Sequence, residues 1–137
     1  MHQQTLTFHL DKRGLHDITS EVQEVVRAAG NRCGMCNVFV QHTSASLTIQ
    51  ENADPDVQRD LEAFMRRLVP DGDSLYQHVD EGPDDMPAHV CGALTDVSLM
   101  IPITDGALGM GVWQGIYLWE HRSRARTRKV VVTVWGV

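Results

Sequence analysis

Polar and apolar residues along the chain fall into two periods. Thr5-Leu6-Thr7-Phe8-His9-Leu10 alternates, with Leu6, Phe8 and Leu10 on one face, which predicts a half-buried strand with His9 on the wet side. Gly14 to Ile18 reads as a turn, and Ser20 with Gln23 three residues later has capping-box spacing. The helix that follows has Val22, Val25, Val26 and Ala29 at i, i+3, i+4 and i+7, and Gly30 is its stop.

Met35 to Gln41 is apolar enough for a central strand, and Ala45 to Ile49 alternates as another. Asp54-Pro55 opens a second helix, whose stripe of Val57, Leu61, Phe64 and Leu68 should face the core, with Gln58, Arg59, Glu62 and Arg66 outside. From Asp71 to Pro87 the periodicity dissolves into a loop longer than compact domains usually carry without a function, while periodicity leaves Ala88 to Leu94 undecided between helix and strand. The remainder is β: Ser98 to Ile103, a turn at Asp105-Gly106, a glycine-rich strand through Gly109, Gly111 and Gly115 to Glu120, and a last strand from Lys129 to Trp135. Pro102 within a strand points to an edge or a bulge. No linker interrupts the pattern, so residues 1–137 read as one α+β domain, mostly antiparallel sheet layers with two main helices.

The composition, 42% hydrophobic and 22% charged, is that of an ordinary globular chain, with no apolar run of the ~20 residues that span a bilayer. A net charge of −6 argues against general affinity for nucleic acid. Positive charge is concentrated at Arg122, Arg124, Arg126, Arg128 and Lys129, either a solvated turn or a local anion site. The start, Met1 to Thr5, lacks the order of a secretory signal, so the cytoplasm is the expected location. Cys33 and Cys36 have C-x-x-C spacing, but no second pair and no following helix start support a metal or redox role.

The densest chemistry lies between His42 and Pro55. His42, Thr43, Ser44 and Ser46 leave a buried strand, and Glu51 and Asn52 precede the helix start. Glu51 suits a general base and the helix start a phosphate; an elaborate helix cap would explain Asp54 but not Glu51 as well. His42, His78, His89 and His121 stand among polar neighbours. Three imidazoles from different segments are the composition of a catalytic zinc site, although spacing alone does not separate that from satisfied or surface histidines. Trp113 suits stacking on a flat ring or ordinary core packing, and with Gln114 it begins the strand that ends at Glu120-His121-Arg122.

Four segments together, His42 to Ile49, Glu51 to Pro55, Asp84 to His89, and Gly111 to Leu118 with Glu120-His121-Arg122, resemble the YjbQ family, whose members are labelled secondary thiamine-phosphate synthases. The likeness runs over nearly the whole chain, with departures at Gln50, Val112 and Cys91. It implies a compact α+β homotrimer with a pocket around His42, His78 and His89, which would hold a divalent metal, zinc by preference.

It further implies a transferase that joins hydroxymethylpyrimidine diphosphate to thiazole phosphate and releases diphosphate. On that reading the protein is a cytoplasmic, metal-dependent enzyme for small phosphorylated metabolites. Glu51 and His42 act as catalytic groups, and Thr43, Ser44, Asn52, Trp113, Gln114, Glu120 and Arg122 meet the substrate. The alternatives are a metal-assisted hydrolase with incidental synthase activity and a non-catalytic metabolite-binding trimer. Neither nucleic acid nor membrane is an expected partner.

Overall fold

The computed structural model describes residues 1–137. Strand β1 (His2–Leu10) and a short β2 (Gly14–Asp17) precede helix α1 (Thr19–Ala29); β3 (Cys33–Val40), β4 (Ala45–Glu51) and α2 (Pro55–Leu68) follow. After the long loop come α3 (Asp85–Leu94), β5 (Ser98–Thr104), β6 (Ala107–Leu108), β7 (Gln114–Glu120) and β8 (Arg126–Gly136). One antiparallel sheet has the order β1-β8-β3-β5-β6, the other β2-β7-β4. No helix is long and apolar enough to cross a membrane.

Alternation dictates the core. Cys36, Val38 and Val40 of β3, Ile101 and Ile103 of β5, and Val130, Val132 and Val134 of β8 point to one side of the larger sheet. They meet Leu47 of β4, Ile116 and Leu118 of β7, and the Val22, Val25 and Val26 stripe of α1. The opposite face of the larger sheet stays open, with Phe39 and Met100 42% and 52% exposed.

Several local expectations need correcting. Gly14 to Asp17 is a strand paired with β7, not a turn, because its amides find partners there. The Ser20/Gln23 capping box does not form: Asp17 accepts from the Thr19 amide, and Gln23 accepts from the Leu108 amide. At α2, Asp54 caps the Asp56 amide as expected, and Val57 and Leu61 are half-buried and Arg59 exposed as read, but the inward face is rotated from the expected stripe. Gln58, Glu62 and Arg66 turn inward, while Phe64 and Leu68 lie exposed. The cause is β7, whose Tyr117 hydroxyl accepts from Gln58 and whose Trp119 indole N–H donates to Glu62 at 2.7 Å. Residues 88–94 are helical, and α3 starts earlier, at Asp85.

Behind β7, Met65, Val69, Cys91 and Trp119 form a smaller cluster that ties α2 and α3 to the sheet. His121, just past β7, is completely buried there; its Nε2 lies 2.8 Å from Ser46 Oγ and its ring centre 5.3 Å from that of Trp119. Burial, with the charges of Arg66, Arg128 and Arg13, pushes its pKa down to about 3. A folded pKa below the unfolded one means that the unfolded chain takes up the proton first. The stability contributed by neutral His121 is therefore complete above about pH 6.5 and is lost as the pH falls toward 3. In urea titrations between pH 6.5 and 4, the wild type should lose up to about 1.4 kcal/mol per pH unit more than a His121→Gln variant. Parallel pH profiles would rule this out.

Candidate functional site

The centre is built by α3. Asp85 and His89, four residues apart, share one face of the helix, and the loop before it brings His78 over the same point. His78 Nε2 lies 2.7 Å and His89 Nε2 3.2 Å from the same oxygen, Asp85 Oδ2. Potential ligand atoms of these three residues all fall within 4.8 Å of one another. His89 Nδ1 is 3.2 Å from the Thr43 carbonyl. A carbonyl only accepts, so Nδ1 carries a proton, and in the neutral ring Nε2 then presents a lone pair to a carboxylate oxygen. Two acceptors at that distance are stable only with positive charge on or between them, either a second proton on His89 or a cation.

Two arginines hold this arrangement. Arg122 donates from Nη1 to Asp85 Oδ1 at 2.7 Å, from Nε to Asp84 Oδ2 at 3.0 Å, and from Nη2 to the Glu81 carbonyl at 2.9 Å. Ser123 adds its amide and hydroxyl to Asp84. Burial pushes both carboxyls up, but at Asp85 the His78 hydrogen bond and Arg122 charge outweigh it, and at Asp84 the bonds from Arg122 and Ser123 do. Both end below the ordinary carboxylate range. Asp85 thus keeps one oxygen on Arg122 and offers the other to the imidazoles.

Arg128 does the same for the loop opposite. Its Nε donates to Glu120 Oε1 at 2.7 Å, and its Nη2 reaches Glu120 Oε2, the Ser44 hydroxyl and the Ser44 carbonyl. This fixes the chain at Ser44, next to the Thr43 carbonyl that orients His89. Gly92 of α3 must stay small, because a Cβ there would meet the Thr43 oxygen at 3.0 Å. The recess between the two segments measures about 270 Å³ and is lined by His42, Thr43, Ala45, His89, Gly92, Ala93 and Val97.

The residues picked out in the sequence divide between two places. His42, Thr43, His78 and His89 lie around the recess and the Asp85 cluster. His42 is not in that cluster, because its Nε2 accepts the Lys129 amide at 2.9 Å. Burial, reinforced by Arg128 and opposed by Glu120, lowers its pKa and keeps it neutral. Glu120 and Arg122, expected to meet substrate, are buried in ion pairs, and the Ser44 hydroxyl is taken by Arg128. All three are corrected to framework roles.

Glu51, Asn52, Trp113 and Gln114 sit at the other end of the β4–β7 ladder, where Glu51 pairs with Gln114 while Ala45 pairs with Glu120. Six strand residues separate those ends by about 20 Å. Within one chain Glu51 is therefore out of reach of His89, and it caps the Asp54 amide instead. Asn52 binds the Val112 and Gln114 carbonyls, Gln114 accepts from the Gly111 amide, and Trp113 is exposed. Asp85 is the member of this cluster to which the sequence assigned no role; its signal is the Asp-x-x-x-His spacing at a helix start.

A sequence profile described as "UPF0047 protein YjbQ-like" matches residues 4–137. The chain belongs to the UPF0047, YjbQ-like family. Among its relatives, the UPF0047 protein sll1880 of Synechocystis is 53% identical over 135 residues, covering 98% of this chain and 92% of that protein. The UPF0047 protein YjbQ of Escherichia coli O157:H7 is 40% identical over 136 residues, covering 98% of each. Among solved structures of similar proteins, a hypothetical protein from Aeropyrum pernix K1 superposes with a TM-score of 0.91 at 28% identity, covering 100% of both chains. A yjbq/upf0047 protein from Clostridium acetobutylicum reaches 0.84 at 37% identity, covering 98% of this chain and 100% of that one. The α+β fold read from the sequence is thus that of this family.

Removing one partner from a buried pair leaves the other charge stranded, at a cost of about 3–5 kcal/mol. Arg122→Leu should lose stability of that order in urea unfolding, whereas Arg59→Ala, at an exposed ion pair, should stay within about 1 kcal/mol of wild type. Equal losses would show that Arg122 is not the anchor.

Proposed function

We propose that this UPF0047 protein is a metal-assisted enzyme for a small substrate, with His78, Asp85 and His89 holding a divalent ion, zinc by preference. The observation that carries the proposal is the approach of His89 Nε2, a lone-pair nitrogen once Nδ1 serves Thr43, to Asp85 Oδ2 at 3.2 Å. Two imidazoles and one carboxylate suit zinc and leave coordination positions for water or substrate. When bound, such an ion supplies polarisation of a carbonyl or phosphoryl oxygen and a nucleophilic water near neutral pH. Arg122 orients Asp85, the Thr43 carbonyl sets the tautomer of His89, and the recess holds the substrate body.

The hydrolytic form of this reading fits the site best, because the two buried arginines nearest to it are committed to carboxylates and provide no phosphate clamp. The transfer of a pyrimidine diphosphate to thiazole phosphate, implied by the resemblance, needs the ion plus exposed cations such as Lys129 and Arg124. The three free thiols fit a reducing, cytoplasmic setting. The homotrimer remains part of the proposal, supported by the open sheet face with Phe39 and Met100 and the exposed α2 stripe with Phe64 and Leu68.

Native mass spectrometry and metal analysis of the purified protein should find one divalent ion per chain, and Asp85→Asn and His89→Ala should each lose it. A screen of phosphate esters, lactones and amides, run beside the two thiamine precursors, should find a substrate hydrolysed faster than the precursors are joined. In the Asp85→Asn variant, kcat/KM for that substrate should fall at least 100-fold. Full occupancy in both variants would refute the site, and faster joining than hydrolysis would refute the hydrolytic form.

A further inference from the structure

The metal centre leaves one ring of the recess without a task. His42 follows β3 and lines the cavity beside His89, yet its Nε2 is occupied by the backbone of β8, accepting the Lys129 N–H at 2.9 Å. A peptide nitrogen can only donate. Nε2 therefore bears the lone pair, and in the neutral ring the proton is on Nδ1. No protein group pairs with that N–H. The other walls, Ala45, Gly92, Ala93 and Val97, offer only small apolar surfaces, so His42 Nδ1 and the Thr43 side chain are the polar groups available to a ligand on that side.

His42 is thus oriented by a main-chain bond, as His89 is by Thr43, but in the opposite sense. Thr43 makes His89 present a lone pair toward Asp85, whereas Lys129 makes His42 present a proton. The two rings form a complementary pair, one suited to a cation and the other to an electron-rich oxygen.

We propose that His42 is a fixed hydrogen-bond donor to bound substrate through Nδ1–H, and not a metal ligand. The recess then selects compact molecules with a small apolar body and an acceptor oxygen, carbonyl or phosphoryl, placed between His42 and the Asp85 cluster. A neutral donor held in place before the ligand arrives needs no reorganisation as charge grows on that oxygen. The assignment builds on the recess described under the proposed function, but it does not depend on an ion being bound.

Long-range ¹H–¹⁵N spectra of the full chain carrying ¹⁵N-histidine read the tautomer directly. His42 should show a protonated Nδ1 and a bare Nε2, unchanged when zinc is added, while the Nε2 signals of His78 and His89 move. With inorganic phosphate as the probe on zinc-loaded protein, the His42 Nδ1 signal should shift. His42→Ala should keep one zinc per chain and bind phosphate at least about tenfold more weakly. A His42 ring protonated on Nε2, a zinc-induced shift at either of its nitrogens, loss of zinc in His42→Ala, or unchanged phosphate affinity would each overturn the assignment. If zinc moves no histidine signal, the metal reading fails by itself, and the tautomer of His42 still decides this one.

Discussion

The grip of Arg122 on Asp84 and Asp85 is the interaction on which the rest of the centre depends. A guanidinium has a rigid fork of donors and no acceptor, so it fixes both carboxylates in one geometry. Asp84 is tied through it to the end of β7, and Asp85 is left with one oxygen for two imidazoles. Each of these groups would be costly to bury alone; paired they offset most of that cost, leaving one negative charge in excess, and set where α3 begins. The position of His89 follows, since it lies one helical turn beyond Asp85.

Arg128 and Glu120 repeat the device on the facing wall, holding Ser44 so that the Thr43 carbonyl points at His89. The basic run near the carboxy terminus is thereby accounted for in part: two of its members are framework, and the exposed ones remain for solvent or a ligand. The centre stands on rigid supports on both sides, with strand ends β4 and β7 below and the first turn of α3 above. Small residues at Gly92 and Ala93 keep the two walls close while leaving the recess open.

Strands β1 and β4 and helices α1 and α2 were legible from their periods, and β3, β5, β7 and β8 from apolar or β-branched runs bounded by turn residues. The hidden parts have physical reasons. Helix α3 was ambiguous because both faces are largely apolar or small, so no stripe forms from Ala88 to Leu94. The orientation of α2 was hidden because Tyr117 and Trp119, on another element, require polar partners that periodicity ignores. Arg122 and Glu120 look like ligand-binding groups in a sequence, since nothing local shows that residues such as Asp84 and Arg128 lie within hydrogen-bond reach. Likewise, the distance from Glu51 to His89 is set by the length of β4, which separates residues that look adjacent when the segment from His42 to Pro55 is read as one motif.

We propose that the approach of His89 Nε2 to Asp85 Oδ2 at 3.2 Å accommodates a cation. Crystals of the zinc-loaded protein, measured on both sides of the zinc absorption edge, test it most directly. One anomalous peak per chain is expected adjoining Asp85 Oδ2 and the Nε2 atoms of His78 and His89, with His42 still bonded to the Lys129 amide. A peak that includes His42 among its ligands, or none at the Asp85 cluster in zinc-saturated crystals, would contradict it.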